Sequence, residues 1–159
     1  MSAVPHLAFA VDPDPGSAVG GLLSHLDAVY VFAHALTCDD HLASDLTEHV
    51  YRGVTRDLWS TLGGHGLRDR LLARCLAIFN EGFRSRRRAV SDVPAEHDAV
   101  GLLRALSAEQ RAAVALVDRL GLRYDAAAVV LGVSRDAFRT LLHDARNTLM
   151  TRHASGIAR

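Results

Sequence analysis

The sequence predicts an all-α protein built as two small helical domains joined by a short linker. Three observations carry that expectation. Apolar residues recur at helical rather than alternating spacing, aromatic residues make up only 6% of the chain, and Gly, Pro and Ser punctuate the apolar runs where helices should stop and start. A chain of 159 residues is long enough for one domain or two small ones, and so low an aromatic share suits helical bundles better than a sheet-rich fold.

The elements follow in order. Residues 1–16 contain Pro5, Pro13 and Pro15 and read as a loose arm. The first domain, 17–88, holds the run Phe32 to Val54, where one helix should break near Thr37 to Asp40 and a second begin. Gly63-Gly64-His65-Gly66 reads as a flexible loop between helices, and Leu71 to Val90 as a further helix ending in Arg84, Arg86, Arg87 and Arg88. Residues 89–101, with Pro94 inside, form the linker. The second domain spans 102–152 and leaves a tail at 153–159.

The second domain is the most informative. Ser107-Ala108-Glu109-Gln110 fits a capping box, and the apolar run that follows should end near Gly121. Asp125 to Leu131 is a short apolar helix; Gly132 tolerates the left-handed conformation that stops it, and Ser134 can cap the next. This helix, tight turn, helix pattern is the punctuation of a DNA-reading motif. Stepped at about 100° per residue, Arg135, Arg139, His143 and Arg146 share an arc of roughly 80°, with Thr140 beside it, while Ala137, Phe138, Leu141, Leu142, Ala145, Thr148 and Leu149 share the opposite one. The basic arc is the candidate DNA contact. The alternative is an ordinary amphipathic hairpin with a solvated basic face.

Formal net charge is zero, but the charges are segregated, and every basic residue is Arg. Met1 to Gly66 carries eight acids against two Arg; Leu67 to Val90 carries seven Arg against two acids; from Leu106 onward there are eight Arg against five acids. The arginine cluster at 84–88 can attract phosphates, or it can favour a helix C-terminus. The modest excess in the last third predicts weak DNA binding by that domain alone.

No paired carboxylates, phosphate-binding loop or nucleophile motif is present, so no enzyme and no cofactor are expected. Cys38 and Cys75 fall in predicted helices of a chain with no signal peptide and no membrane-spanning apolar run, which predicts reduced thiols and a cytoplasmic location. His34, Cys38 and His41 stand at i, i+4 and i+7, a spacing that can gather metal ligands, but the expected helix break and the lack of a fourth ligand argue against a metal site.

The run from Leu106 to Arg146 resembles region 4 of the extracytoplasmic-function sigma factors, matching that pattern at Arg111, Leu116, Gly121, Leu122, Tyr124, Ala128, Leu131, Gly132, Val133, Arg139, Leu142, Ala145 and Arg146. Phe32 to Val54 resembles region 2 of the same factors at Leu36, Thr37, Asp39, Ala43, Asp45, Leu46 and Tyr51, with Cys38 for the family's Gly, Ser44 for its first Glu and Glu48 for its Gln. Leu71 to Val90 is similar to the family's promoter-melting helix at Ala73, Arg74, Leu76, Ala77 and Ile78. There Cys75 replaces an Asn, Phe79 replaces an Asp, and Trp59 lies too early to be the usual Trp.

The resemblance implies core RNA polymerase and promoter DNA as partners, with an anti-sigma factor as a further one. It assigns core binding to Asp45, Leu46 and Glu48, and upstream promoter recognition to the last helix. Leu141 and Asp144 stand where the family often has basic residues, which lowers or redirects upstream affinity. Two other readings stay open: a degenerate sigma-like regulator that has lost promoter melting, and a helical module whose grooves bind another protein.

Overall fold

The computed structural model describes residues 20–52, 54, 66–83 and 99–157. All regular elements among them are helical: α1 (Leu26–Thr37), α2 (Asp40–Arg52), α3 (Leu67–Ile78), α4 (Ala99–Arg104), α5 (Ala108–Val114), α6 (Tyr124–Leu131) and α7 (Arg135–Ile157), with π-helical turns at Phe79–Phe83 and Ala115–Arg119 extending α3 and α5. The expected arm, most of the glycine loop, the arginine cluster and most of the linker lie outside the described residues. The last residues assigned to the linker, 99–101, are helical and belong to α4.

The first three helices bury stripes at helical spacing: Val29, Phe32, Ala33 and Leu36 on α1, Ala43, Leu46, Thr47 and Val50 on α2, and Leu71, Leu72, Cys75 and Phe79 along α3 and its extension. The break between α1 and α2 has a local cause. Cys38 takes the left-handed conformation (φ 54°) and ends α1, while the Asp39 carboxylate accepts from the Leu42 N–H at 2.8 Å and so caps α2. Tyr51 donates to the Leu22 carbonyl (3.2 Å) and Arg74 to that of Val50 (3.2 Å), tying the segment just before α1, and α3, to α2.

The two halves do not stand apart. α1 packs on α5 and its π turn, and α3 packs on α6, so the buried side chains of both halves form one continuous core. Polar contacts cross the same seam. The fully buried Arg111 of α5 donates to the Leu36 carbonyl at 3.1 Å and to that of Leu106 at 2.7 Å. Arg104 donates to the Cys38 carbonyl (3.2 Å) and Arg68 of α3 to that of Leu120. The last turn of a helix leaves carbonyls without partners; here arginines from the second half supply them for α1, and their charge suits that end of the helix dipole.

Beside the seam, α1, α4, the second π turn and α7 frame an apolar groove of about 690 Å³, lined among others by Tyr30, His34, Leu103, Val114, Leu149 and Met150.

Candidate nucleic-acid interface

Local sequence sets up the second half. Ser107 and Gln110 make the expected capping box: the Gln110 N–H donates to Ser107 Oγ at 3.1 Å, and the Ser107 N–H donates to Gln110 Oε1 at 3.0 Å. The helix it starts widens into the π turn, where the Leu120 N–H reaches the Ala115 carbonyl, and stops at Gly121 in the left-handed region. Gly132 (φ 70°) ends α6, with the Val133 N–H reaching back to the Ala128 carbonyl at 3.1 Å. Two residues on, Ser134 Oγ accepts from the Ala137 N–H at 3.2 Å and starts α7. A β-carbon at Gly132 would meet no atom but would require a strained backbone.

α7 buries Phe138, Leu142 and Ala145 and half-buries Leu141, Thr148 and Leu149, as its apolar arc predicts; Ala137 is exposed. Tyr124 leans on Phe138 with ring centroids 5.9 Å apart, fixing α6 against α7. On the other side, Arg135, Arg139, Thr140 and His143 are exposed. Arg135 Nε lies 3.1 Å from the Asp125 carboxylate of α6. Thr140 donates back to the Asp136 carbonyl (3.2 Å), and Asn147 Nδ2 lies 2.9 Å from His143 Nε2.

Arg146 differs from its neighbours. It is half-buried, and its guanidinium is forked onto the Asp118 carboxylate, Nη2 to Oδ1 and Nε to Oδ2 (3.3 Å). The Asp118 hydrogen bonds, helped by one with Tyr124, hold its charged form well above the usual arginine range. Asp118, the partner of this arginine, is not among the candidate residues that the sequence offers. It lies 28 residues from Arg146, and no local pattern links the two.

The residues expected to meet core polymerase divide. Asp45 and Glu48 are exposed on α2, the latter paired with Arg52 one turn on. Leu46 is fully buried and helps build the core between helices, so it offers no surface; its match to the region 2 pattern records packing, because α2 buries every third or fourth residue. Arg84, Arg86, Arg87 and Arg88 lie outside the described residues.

The His34, Cys38 and His41 spacing gathers no ligands. Cys38 is buried with Sγ near the Ala35 carbonyl (3.6 Å), whereas His34 faces Tyr30 and Asp40 and His41 is exposed. Among the described residues no group of three such side chains could hold a metal ion.

A short helix, a glycine-stopped turn and a longer helix with exposed basic residues on one face and core residues on the other define a helix-turn-helix, DNA-reading protein. Residues 98–149 match the family described as sigma-70, region 4. The fold is similar to that of the sigma factor RpoE from Bartonella quintana, solved in a co-crystal with the anti-sigma factor NepR. The TM-score is 0.66 at 26% identity, over 84% of this chain and 94% of that one. No curated protein matches the chain. Residues 98–149 are thus a sigma-70 region 4 domain, and this match together with the likeness of the fold to RpoE supports a sigma factor of the extracytoplasmic-function type acting in transcription initiation.

Proposed function

We propose that residues 17–88 form the region 2-like unit, which docks on core RNA polymerase through the exposed face of α2, and that residues 102–152 form the region 4-like unit. Residues 89–101 join the two. Region 4 places α7 in the major groove of an upstream promoter element. The observation that carries this reading is the exposed stripe of Arg135, Arg139 and His143 at the N-terminal end of α7, the part of a recognition helix that reaches base edges. Asp45 and Glu48 present acidic and hydrogen-bonding groups to the polymerase. The arginines at 84, 86, 87 and 88 would neutralise phosphates during promoter engagement. The chain works without catalytic residues or a cofactor of its own, in the cytoplasm, where core polymerase is found. An anti-sigma factor is included among its partners by likeness to the Bartonella protein; no helix among the described residues is long and apolar enough to cross a membrane.

The test is in vitro transcription with purified core polymerase over a fragmented genomic library. Discrete starts sharing an upstream element support a working sigma factor. Arg139→Ala should weaken that element's binding by about 1–3 kcal/mol if the side chain reads a base edge, measured by fluorescence anisotropy with holoenzyme.

A second reading is favoured by one observation. Cys75 and Phe79, which replace polar residues of the family's promoter-melting helix, are both fully buried in the core. A chain built this way could keep polymerase binding and lose promoter opening. Core binding without transcripts would select it.

A further inference from the structure

Arg146 shares the basic arc with Arg135, Arg139 and His143 on a helical projection, yet its surroundings give it a different task. The side chain is held at one end of a relay that touches three pieces of the second half. Asp118 belongs to the π turn after α5, Tyr124 is the first residue of α6, and Arg146 itself lies in the third turn of α7 beyond Arg135. Tyr124 in turn packs on Phe138, a fully buried residue of α7.

We infer that the Asp118–Arg146 fork sets the angle at which α7 is presented to DNA, so that Arg146 is a positioning residue and not a DNA contact. This rests on the reading of α7 as the promoter-reading helix.

Three physical points carry it. A forked guanidinium–carboxylate pair fixes direction as well as distance, because two parallel hydrogen bonds resist rotation that a single one allows. Both partners are partly shielded, with side-chain exposures of 42% and 37%, unlike the Arg135–Asp125 pair at 61% and 56%; the shielded pair therefore holds its geometry better against solvent. Lastly, Arg146 stands eleven residues beyond Arg135, or about 16 Å along the helix axis at the rise of an α-helix. A clamp at that distance controls the tilt of the tip bearing Arg135 and Arg139. The carboxylate also cancels the charge that Arg146 would otherwise bring to a phosphate.

The experiment uses full-length chain bound to core polymerase, with two fluorescent duplexes: one carrying an upstream element recovered from the transcription mapping, and one of unrelated sequence. Affinity is measured across a salt series for wild type, Asp118→Asn, Arg146→Gln, the double variant, Arg146→Lys and Arg139→Ala. Circular dichroism at the assay temperature checks that each is folded.

A positioning role predicts that Asp118→Asn and Arg146→Gln each weaken the specific duplex about tenfold, and that the double variant is no weaker than either single one. Binding to the unrelated duplex and the salt slope stay unchanged, because phosphate contacts carry non-specific affinity. Arg146→Lys, which keeps the charge but loses the fork, behaves like the Gln variant.

The inference is overturned if Arg146→Gln weakens both duplexes alike and lowers the salt slope by about one, with Asp118→Asn strengthening binding; Arg146 would then be a phosphate contact. It is equally overturned if neither variant changes the specific duplex. If Arg139→Ala leaves both duplexes and the slope untouched, the reading of α7 itself fails and the inference falls with it.

Discussion

Cys75 stands where the family's helix carries a polar residue, and its burial has a consequence for pH. Removal from water pushes its thiol up to about 12, because the thiolate cannot be solvated there. The unfolded chain loses that proton at the ordinary thiol value while the folded chain keeps it, so the unfolded state binds fewer protons above that value and stability falls as pH rises. Urea unfolding should therefore show a loss of about 1 kcal/mol between pH 8 and pH 10 from this group, and Cys75→Ala should remove that share of the slope. The same thiol should resist alkylation in the native protein at pH 8. Leu46 and Asp45 make a complementary case at this scale: adjacent in one motif, they face core and solvent respectively. Asp45→Ala should leave stability within about 0.5 kcal/mol of wild type yet weaken pull-down of core polymerase, whereas Leu46→Ala should lower stability by about 2–5 kcal/mol.

Among the elements, the helix-turn-helix was the most legible in advance. Its boundaries are written in single residues whose local chemistry leaves few choices: the reciprocal Ser107 and Gln110 bonds, the left-handed Gly132, and the Ser134 hydroxyl on the Ala137 N–H. Ser134→Ala should remove about 1 kcal/mol, and Gly132→Ala a similar amount, since the positive φ is retained only at the expense of strain; both are measurable by thermal denaturation of the full chain. The π turns were not legible. A turn that widens to i→i+5 is decided by how Leu116 and its neighbours pack, and the apolar run Ala112 to Val117 reads the same whether it continues as α-helix or widens.

At the scale of the whole molecule, the two halves share a core where the sequence reads as two units on a linker. Arg111 shows why that could not be foreseen. An arginine inside an apolar stretch looks like a solvated residue on a helix face, but its carbonyl partner at Leu36 lies 75 residues away and comes within reach only after the halves have packed. Removing the guanidinium leaves buried carbonyls without donors, so Arg111→Ala should destabilise the protein by about 2–4 kcal/mol. Because the apolar contacts run through both halves, scanning calorimetry of the full chain should give one cooperative transition. Two separate transitions would mean that the shared core contributes little to stability.

Periodicity, caps and turn residues are properties of a few neighbouring positions, and from them the all-helical class, a helix break between Thr37 and Asp40, the helix-turn-helix and the likeness of its motifs to sigma region 4 follow. Which motif residues face outward, which carboxylate holds Arg146 and how the halves meet were decided only by tertiary structure. These depend on side chains distant in sequence, and their geometry exists only once the chain has packed.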